Sequence, residues 1–285
     1  MNILFSDDEG REYGAKDVEV SLRSVGAHDC DVLFIHSDVM FGNPAPGFKR
    51  RVYLETLWQI IGGLGVKHVI VPTFTYSFCN HEDYDVQKSR TSMGAFSEYV
   101  RKLGGRYRTL DPLLSVSVPY ELKDAFLAIG ENSLGNGCAL DVLHHMDGVK
   151  FLFLGASLAD CFTYVHYVEK MMDVPYRFDM RFEGTCIGYD REPYSRVQYI
   201  HTQCGGVKLP SRYDYFEESL LTKSLLQKER LGNKYVACLS EVDAYREIVS
   251  NIKRNPSYYL EEEYSDDQLT HEYTYDYTKS RITHC

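Results

Sequence analysis

The apolar run Phe151-Leu-Phe-Leu154, halted at Gly155 and followed at once by helical periodicity, does most to limit what this chain can become. Four consecutive bulky residues match the length of a buried strand, and the glycine ends it. After a short polar turn, Phe162, Val165, Val168 and Met172 recur at helical spacing, with Asp160 placed to cap the first turn. A strand feeding directly into a helix is the unit of an α/β sheet.

Two other segments read the same way. Asp31 to Ile35 and His68 to Thr75 are buried strands, and His36 to Gly42 is the loop that leaves the first. In open α/β sheets ligands gather at the carboxyl ends of strands, which is where this loop lies. Helices are predicted over 16–25, 46–64, from Gly94 onward, and over 213–230 and 241–253. Strands at 177–187 and 196–203 alternate as an antiparallel extension of the sheet would. The stretch 77–92 is polar and aperiodic, as expected of a loop that covers a site.

On the helix after Gly155, Thr163, His166 and Glu169 are three apart and form one slanting row. A carboxylate beside an imidazole can fix its tautomer and raise the basicity of the outer nitrogen, which makes a general base. Thr163 adds a hydroxyl able to support a developing oxyanion. The same spacing also suits an ordinary salt bridge on a half-buried helix. Lys49-Arg50-Arg51 stands at the start of the helix predicted from Pro46, the wrong sign for the helix dipole, and is read either as an anion contact or as a solvated basic surface.

The net charge of -10 argues against nucleic acid as a partner. No apolar run is long enough to cross a bilayer, and the first residues lack a basic-then-apolar leader, so a cytoplasmic protein is expected. The eight cysteines are scattered and several lie in apolar segments, which reads as reduced thiols. His144-His145 would point apart on a helix, and no metal site is expected. Cys138 has no base beside it in the sequence and reads as a buried thiol. One domain is expected over 1–255. Residues 256–285 are acidic and rich in tyrosine, and read as a peripheral arm or tail whose tyrosines offer a face for a second copy, so a homodimer is one expectation.

Four blocks in order resemble the aminoglycoside 3-N-acetyltransferase family. They are His36-Ser37-Asp38-Val39-Met40-Phe41-Gly42; Pro72-Thr73-Phe74-Thr75; Gly94-Ala-Phe96-Ser-Glu98-Tyr-Val-Arg101 with Arg108-Thr109-Leu-Asp111-Pro112 and Ser115; and Leu154-Gly155 with Thr163-Tyr-Val-His166-Tyr-Val-Glu169. The resemblance implies a three-layer α/β/α fold with a central mixed sheet. It also implies an N-acyltransferase that uses acetyl-CoA or another acyl-CoA and no metal, with His166 and Glu169 as base and orienter and Thr163 as oxyanion donor.

The resemblance further places His36, Ser37, Asp38, Phe74, Thr75, Arg108 and Ser115 along the coenzyme A path, and Asp111 and Glu98 toward the acceptor amine. Asp111 stands where the family commonly has histidine, and Gly137-Cys138 where it often has Ser-Pro. These departures and the acidic tail favour an amino sugar of polysaccharide biosynthesis, nucleotide-linked or a glycan precursor. An antibiotic acceptor is the alternative, and a non-catalytic sugar-binding protein of the same fold is a second one. A hydrolase is disfavoured because Gly155-Ala-Ser157-Leu-Ala159 lacks the second glycine of a nucleophile elbow.

Overall fold

Phe151 and Phe153 face one core and Leu152 and Leu154 the other, so the strand Val149–Leu154 is apolar throughout because it is covered on both sides. The computed structural model describes residues 3–272, and this strand is one of the three central strands of a seven-stranded mixed sheet. The order across it is Leu226–Leu231, Lys234–Ser240, Val149–Leu154, Val32–Ser37, His68–Pro72, Val116–Pro119, Arg106–Arg108. The central three strands are parallel and the outer ones antiparallel.

Helices Ala15–Ser24, Arg50–Gly62 and Gly94–Arg101 cover one face, burying Leu22, Leu57 and Phe96 against Leu33, Ile35 and Val71. Helices Ala139–His144, Tyr164–Met171, Asp214–Thr222 and Glu241–Arg254 cover the other, burying Leu143, Val168, Leu220 and Ile248 in the core that contains Phe34, Phe151 and Leu239. This is the three-layer α/β/α arrangement expected.

Four local expectations are corrected. The strand from Val32 runs on through His36 and Ser37, which pair with Phe153 and Leu154, so both sit at the carboxyl end of the central strand instead of in a loop. The helix predicted from Asp160 is two short helices, Leu158–Cys161 and Tyr164–Met171. The break is at Phe162, whose ring wedges edge-on against Phe151 and Phe153 at 5.0 and 5.4 Å. The helix predicted over 213–230 ends at Thr222, with Ser224 at φ 58, and Leu226–Leu231 becomes an edge strand. The long hairpin Arg177–Ile187 and Pro193–Gln203 does not extend the main sheet. That edge is taken by Lys234–Ser240, and the hairpin instead pairs with Tyr84–Asp85 in a separate sheet.

Residues 256–272 do not stand off as an arm. Tyr259 is fully buried against Phe216, Glu261 N–H donates to the Lys208 carbonyl at 3.0 Å, and Gln268 donates to the Gly206 carbonyl at 3.0 Å. The tyrosines of this segment therefore pack on their own chain, and the rest of the predicted tail, 273–285, lies outside the described residues. Among the described residues no helix is long and apolar enough to cross a membrane.

Candidate active site

Gly155 lets the site form. Its φ is +74, and a Cβ there would lie 2.2 Å from the Asp38 carbonyl oxygen, so only glycine allows the end of Val149–Leu154 to pass the turn after Ser37. The chain then turns through Leu158–Cys161 and enters Tyr164–Met171, where Thr163 is the N-cap residue and His166 and Glu169 lie one turn apart.

Glu169 has no exposed side-chain surface, whereas the His166 ring keeps 26% of its own. His166 Nδ1 is 2.7 Å from Glu169 Oε2, and Tyr176 OH donates to Glu169 Oε1 at 2.8 Å. Arg177 completes the group: its Nε forms an ion pair with the same Oε2 at 2.7 Å, and its Nη2 is 2.9 Å from His166 Nδ1. One nitrogen cannot both donate to Glu169 and accept from Arg177. The ionised carboxylate is the stronger and nearer partner, so Nδ1–H donates to Glu169 and the lone pair is left on Nε2.

The electrostatics agree with that tautomer. Burial, which penalises the imidazolium, and then the Arg177 charge lower the His166 pKa, with Glu169 opposing them. Burial pushes Glu169 upward, but Arg177, His166 and Tyr176 outweigh it and hold it ionised. A neutral imidazole backed by a fixed carboxylate is therefore available at neutral pH.

His166 and Thr163 line a cavity of about 300 Å³, along with Phe74, His36, Arg177 and His201. His36 stacks on Phe153 at 5.4 Å, and burial lowers its pKa to about 3, so it stays neutral. The cavity shares Asp160 and Cys161 with a larger cleft of about 860 Å³. A third cleft, about 400 Å³, is lined by Ser37, Asp38, Arg50 and Ser92, of which Ser37 and Ser92 are the chain neighbours of His36 and Met93 in the cavity wall. Ser37 Oγ is buried with no partner among the described residues.

The structure does not bring the other predicted residues to the cavity. Arg108 is 4% exposed and gives its guanidinium to the carbonyls of Thr73, Val86 and Ser89 and the hydroxyls of Thr73 and Ser115. Ser115 donates to the Thr73 carbonyl at 2.7 Å, and Thr75 to the Pro112 carbonyl at 2.7 Å. Asp111 is buried and its Oδ1 accepts from Leu113 N, Leu114 N and Ser133, which holds a turn. Glu98 is bound by Arg101 and Lys102 on its own helix. Cys138 is fully buried and burial pushes its thiol up to about 12, which removes it as a nucleophile.

Sequence reasoning missed Arg177, Tyr176 and His201. His201 pairs through Nδ1 with Asp179 Oδ1 at 3.0 Å, its strand partner, while its Nε2 is buried with no partner among the described residues. Nothing in the local spacing of 175–177 or 201 points to His166, because these contacts arise from the path of the hairpin.

Comparisons with known proteins agree with this geometry. The family model described as aminoglycoside 3-N-acetyltransferase matches residues 35–253. Among solved structures, the apoenzyme of aminoglycoside acetyltransferase AAC(3)-IVa superposes with a TM-score of 0.67 at 18% identity, covering 95% of this chain and 98% of that one. AAC-IIIb in binary complex with CoASH gives 0.66 at 18% over 88% and 99%, and AAC-VIa bound to sisomicin gives 0.70 at 13% over 85% and 98%. No curated protein matches the sequence. With more than half its length matched by the family model, the chain belongs to the aminoglycoside 3-N-acetyltransferase family, and with it to the coenzyme A-dependent N-acyltransferases.

Proposed function

We propose that the protein transfers an acetyl or related short acyl group from coenzyme A to the primary amine of an amino sugar, with His166 as the base. The observation that carries this reading is the His166–Glu169 pair at 2.7 Å, with the ring partly open in the wall of a cavity that meets the larger cleft. A direct transfer brings both substrates to one base in a single assembly.

The acceptor amine is largely protonated near neutral pH and must lose a proton to attack. His166 Nε2 takes that proton while Glu169 holds the ring. The nitrogen adds to the thioester carbonyl, the oxygen becomes negative, and Thr163 lies in the same wall as a donor to it. Collapse breaks the carbon–sulfur bond, the proton held by His166 passes to the departing thiolate, and the surplus proton on the new amide nitrogen leaves to solvent.

The residues of the 400 Å³ cleft suit the donor. Ser37 Oγ lacks a partner among the described residues, and Arg50 begins the helix Arg50–Gly62, where free backbone N–H groups and a cation meet an anion. The acceptor is assigned to the larger cleft, and a glycan precursor, nucleotide-linked or not, is favoured over an antibiotic. The family's description favours the antibiotic.

The test is coenzyme A release from acetyl-CoA with a panel of amino sugars. His166→Ala is expected to retain acetyl-CoA binding and to lose most of its turnover at pH 7, by about 100-fold or more. Near-normal turnover in that variant would reject His166 as the base.

A further inference from the structure

The large cleft that meets the His166 cavity carries three carboxylates, Asp38, Asp160 and Glu217, and three cations, Arg212, Lys228 and Lys234. They are matched one to one. Lys234 pairs with Asp38, Arg212 with Asp160, and Lys228 with Glu217 at 2.5 Å. Glu217 is occupied further, accepting from Ser157 Oγ and the Ala159 N–H, each at 3.1 Å. Arg212 also pairs with Asp214 at 3.0 Å.

A ligand with several ammonium groups binds by giving each one an unpaired carboxylate. Here every such carboxylate already holds a tethered cation, which a free ligand must displace while its own charges repel the ones that stay. The cations also come from two different parts of the chain, the strands Leu226–Leu231 and Lys234–Ser240 and the segment before Asp214–Thr222, so no single loop movement removes them. What remains for a ligand is nearly neutral. Tyr235 is 50% exposed with the Lys228 ammonium 4.6 Å from its ring, and it offers an apolar face to a sugar ring.

We propose that Arg212, Lys228 and Lys234 determine specificity by filling, from within the protein, the positions that the ammonium groups of a polyamine would take. The acceptor is then an amino sugar with a single amine, delivered to His166, and polyamino sugars are turned away. This rests on the acyltransferase reading, since it assigns the cleft to the acceptor.

The experiment compares glucosamine with sisomicin, a polyamine, in coenzyme A release by the wild type and by the Lys228→Gln/Lys234→Gln double variant. Sisomicin binding to both proteins without acyl donor is followed in parallel by calorimetry. The wild type is expected to prefer glucosamine. The variant should raise the ratio of kcat/KM for sisomicin over glucosamine by about tenfold or more, with a matching gain in sisomicin affinity. Lys228→Arg/Lys234→Arg keeps the charges and should keep wild-type selectivity, which controls for misfolding.

An unchanged ratio and unchanged affinity in the Gln variant, or a wild type that prefers sisomicin, would overturn the proposal. If the wild type releases no coenzyme A with either amine, the acyltransferase reading fails instead. In that case the calorimetric gain still decides whether the lysines exclude polyamines.

Discussion

Arg177 and Glu169 face each other inside the fold, Nε to Oε2 at 2.7 Å, with side chains 4% and 0% exposed. The carboxylate thus serves two cations, the guanidinium and any imidazolium formed on His166. The two act on His166 in opposite directions: Glu169 raises its pKa and Arg177 lowers it.

Activity should therefore have an acid limb below the ordinary imidazole value of 6.5, where His166 becomes protonated and can no longer accept a proton. Glu169→Gln removes the raising partner and leaves Arg177, so the limb should move further down while kcat falls within the range of about 10²–10⁴-fold that general-base catalysis supplies. Arg177→Met should move the limb up. The kcat–pH profiles of the three proteins check this, and a shift in the same direction for both variants contradicts the assignment.

Stability should also fall on acidification from pH 7. His166 is lowered in the fold, so below 6.5 the unfolded chain takes up a proton that the folded one refuses, and folding loses free energy from there downward. Glu169 is also lowered, so its contribution is complete above 4.5 and is lost as pH falls through the folded value. Tm by calorimetry should decline continuously from pH 7 to 4, with a shallower slope between 7 and 5 in His166→Asn. A wild-type Tm that rises over that interval contradicts a neutral His166 beside an ionised Glu169.

Arg108 tests whether a residue matched by family resemblance is a ligand contact or a strut. Its planar fork satisfies three carbonyls on two separate segments, Thr73 on one and Val86 and Ser89 on the other, with Tyr84 beneath it at 5.1 Å. Arg108→Lys keeps the charge but cannot reach all of them, and should cost about 2–3 kcal/mol in urea unfolding. KM for acetyl-CoA should stay within about threefold of wild type, well under the effect of losing a charged phosphate contact. A large rise in that KM with normal stability would return Arg108 to the cofactor path.

What could be read from the chain follows periodicity and adjacency. The strands at 32–37, 68–72 and 149–154 are buried on both faces and announce themselves as apolar runs, and His166 and Glu169 meet because a helix brings i and i+3 together. Arg177 lies beyond that helix, and its contact with Glu169 depends on the turn at Val174 and the start of a strand, which no local pattern encodes. The hairpin 177–203 alternates like a sheet extension, yet which sheet it joins is decided by the competing strand Lys234–Ser240. Asp111 and Arg108 carry chemistry by residue type, but their use in holding turns is visible only once their burial is known.

The segment 256–272 is the last case, and it bears on the site through two glycines. Gln203, Leu209 and Tyr213 form part of the wall around His166, and the chain between them contains Gly205 and Gly206. A Cβ on Gly206 would lie 2.7 Å from Gln268 Cα and 2.8 Å from its carbonyl oxygen, both backbone atoms. The segment is thus seated only because these positions carry no side chain, and seated there it braces the wall. Gly206→Ala should push it off, cost about 1–3 kcal/mol by overpacking and expose the Tyr264–Gln268 region to protease. Turnover should fall through a raised KM, since the wall is loosened while His166 and Glu169, on their own helix, stay paired. Limited proteolysis followed by kinetics on the intact variant checks both parts. Wild-type protease resistance and KM in Gly206→Ala would show that the segment does not brace the wall.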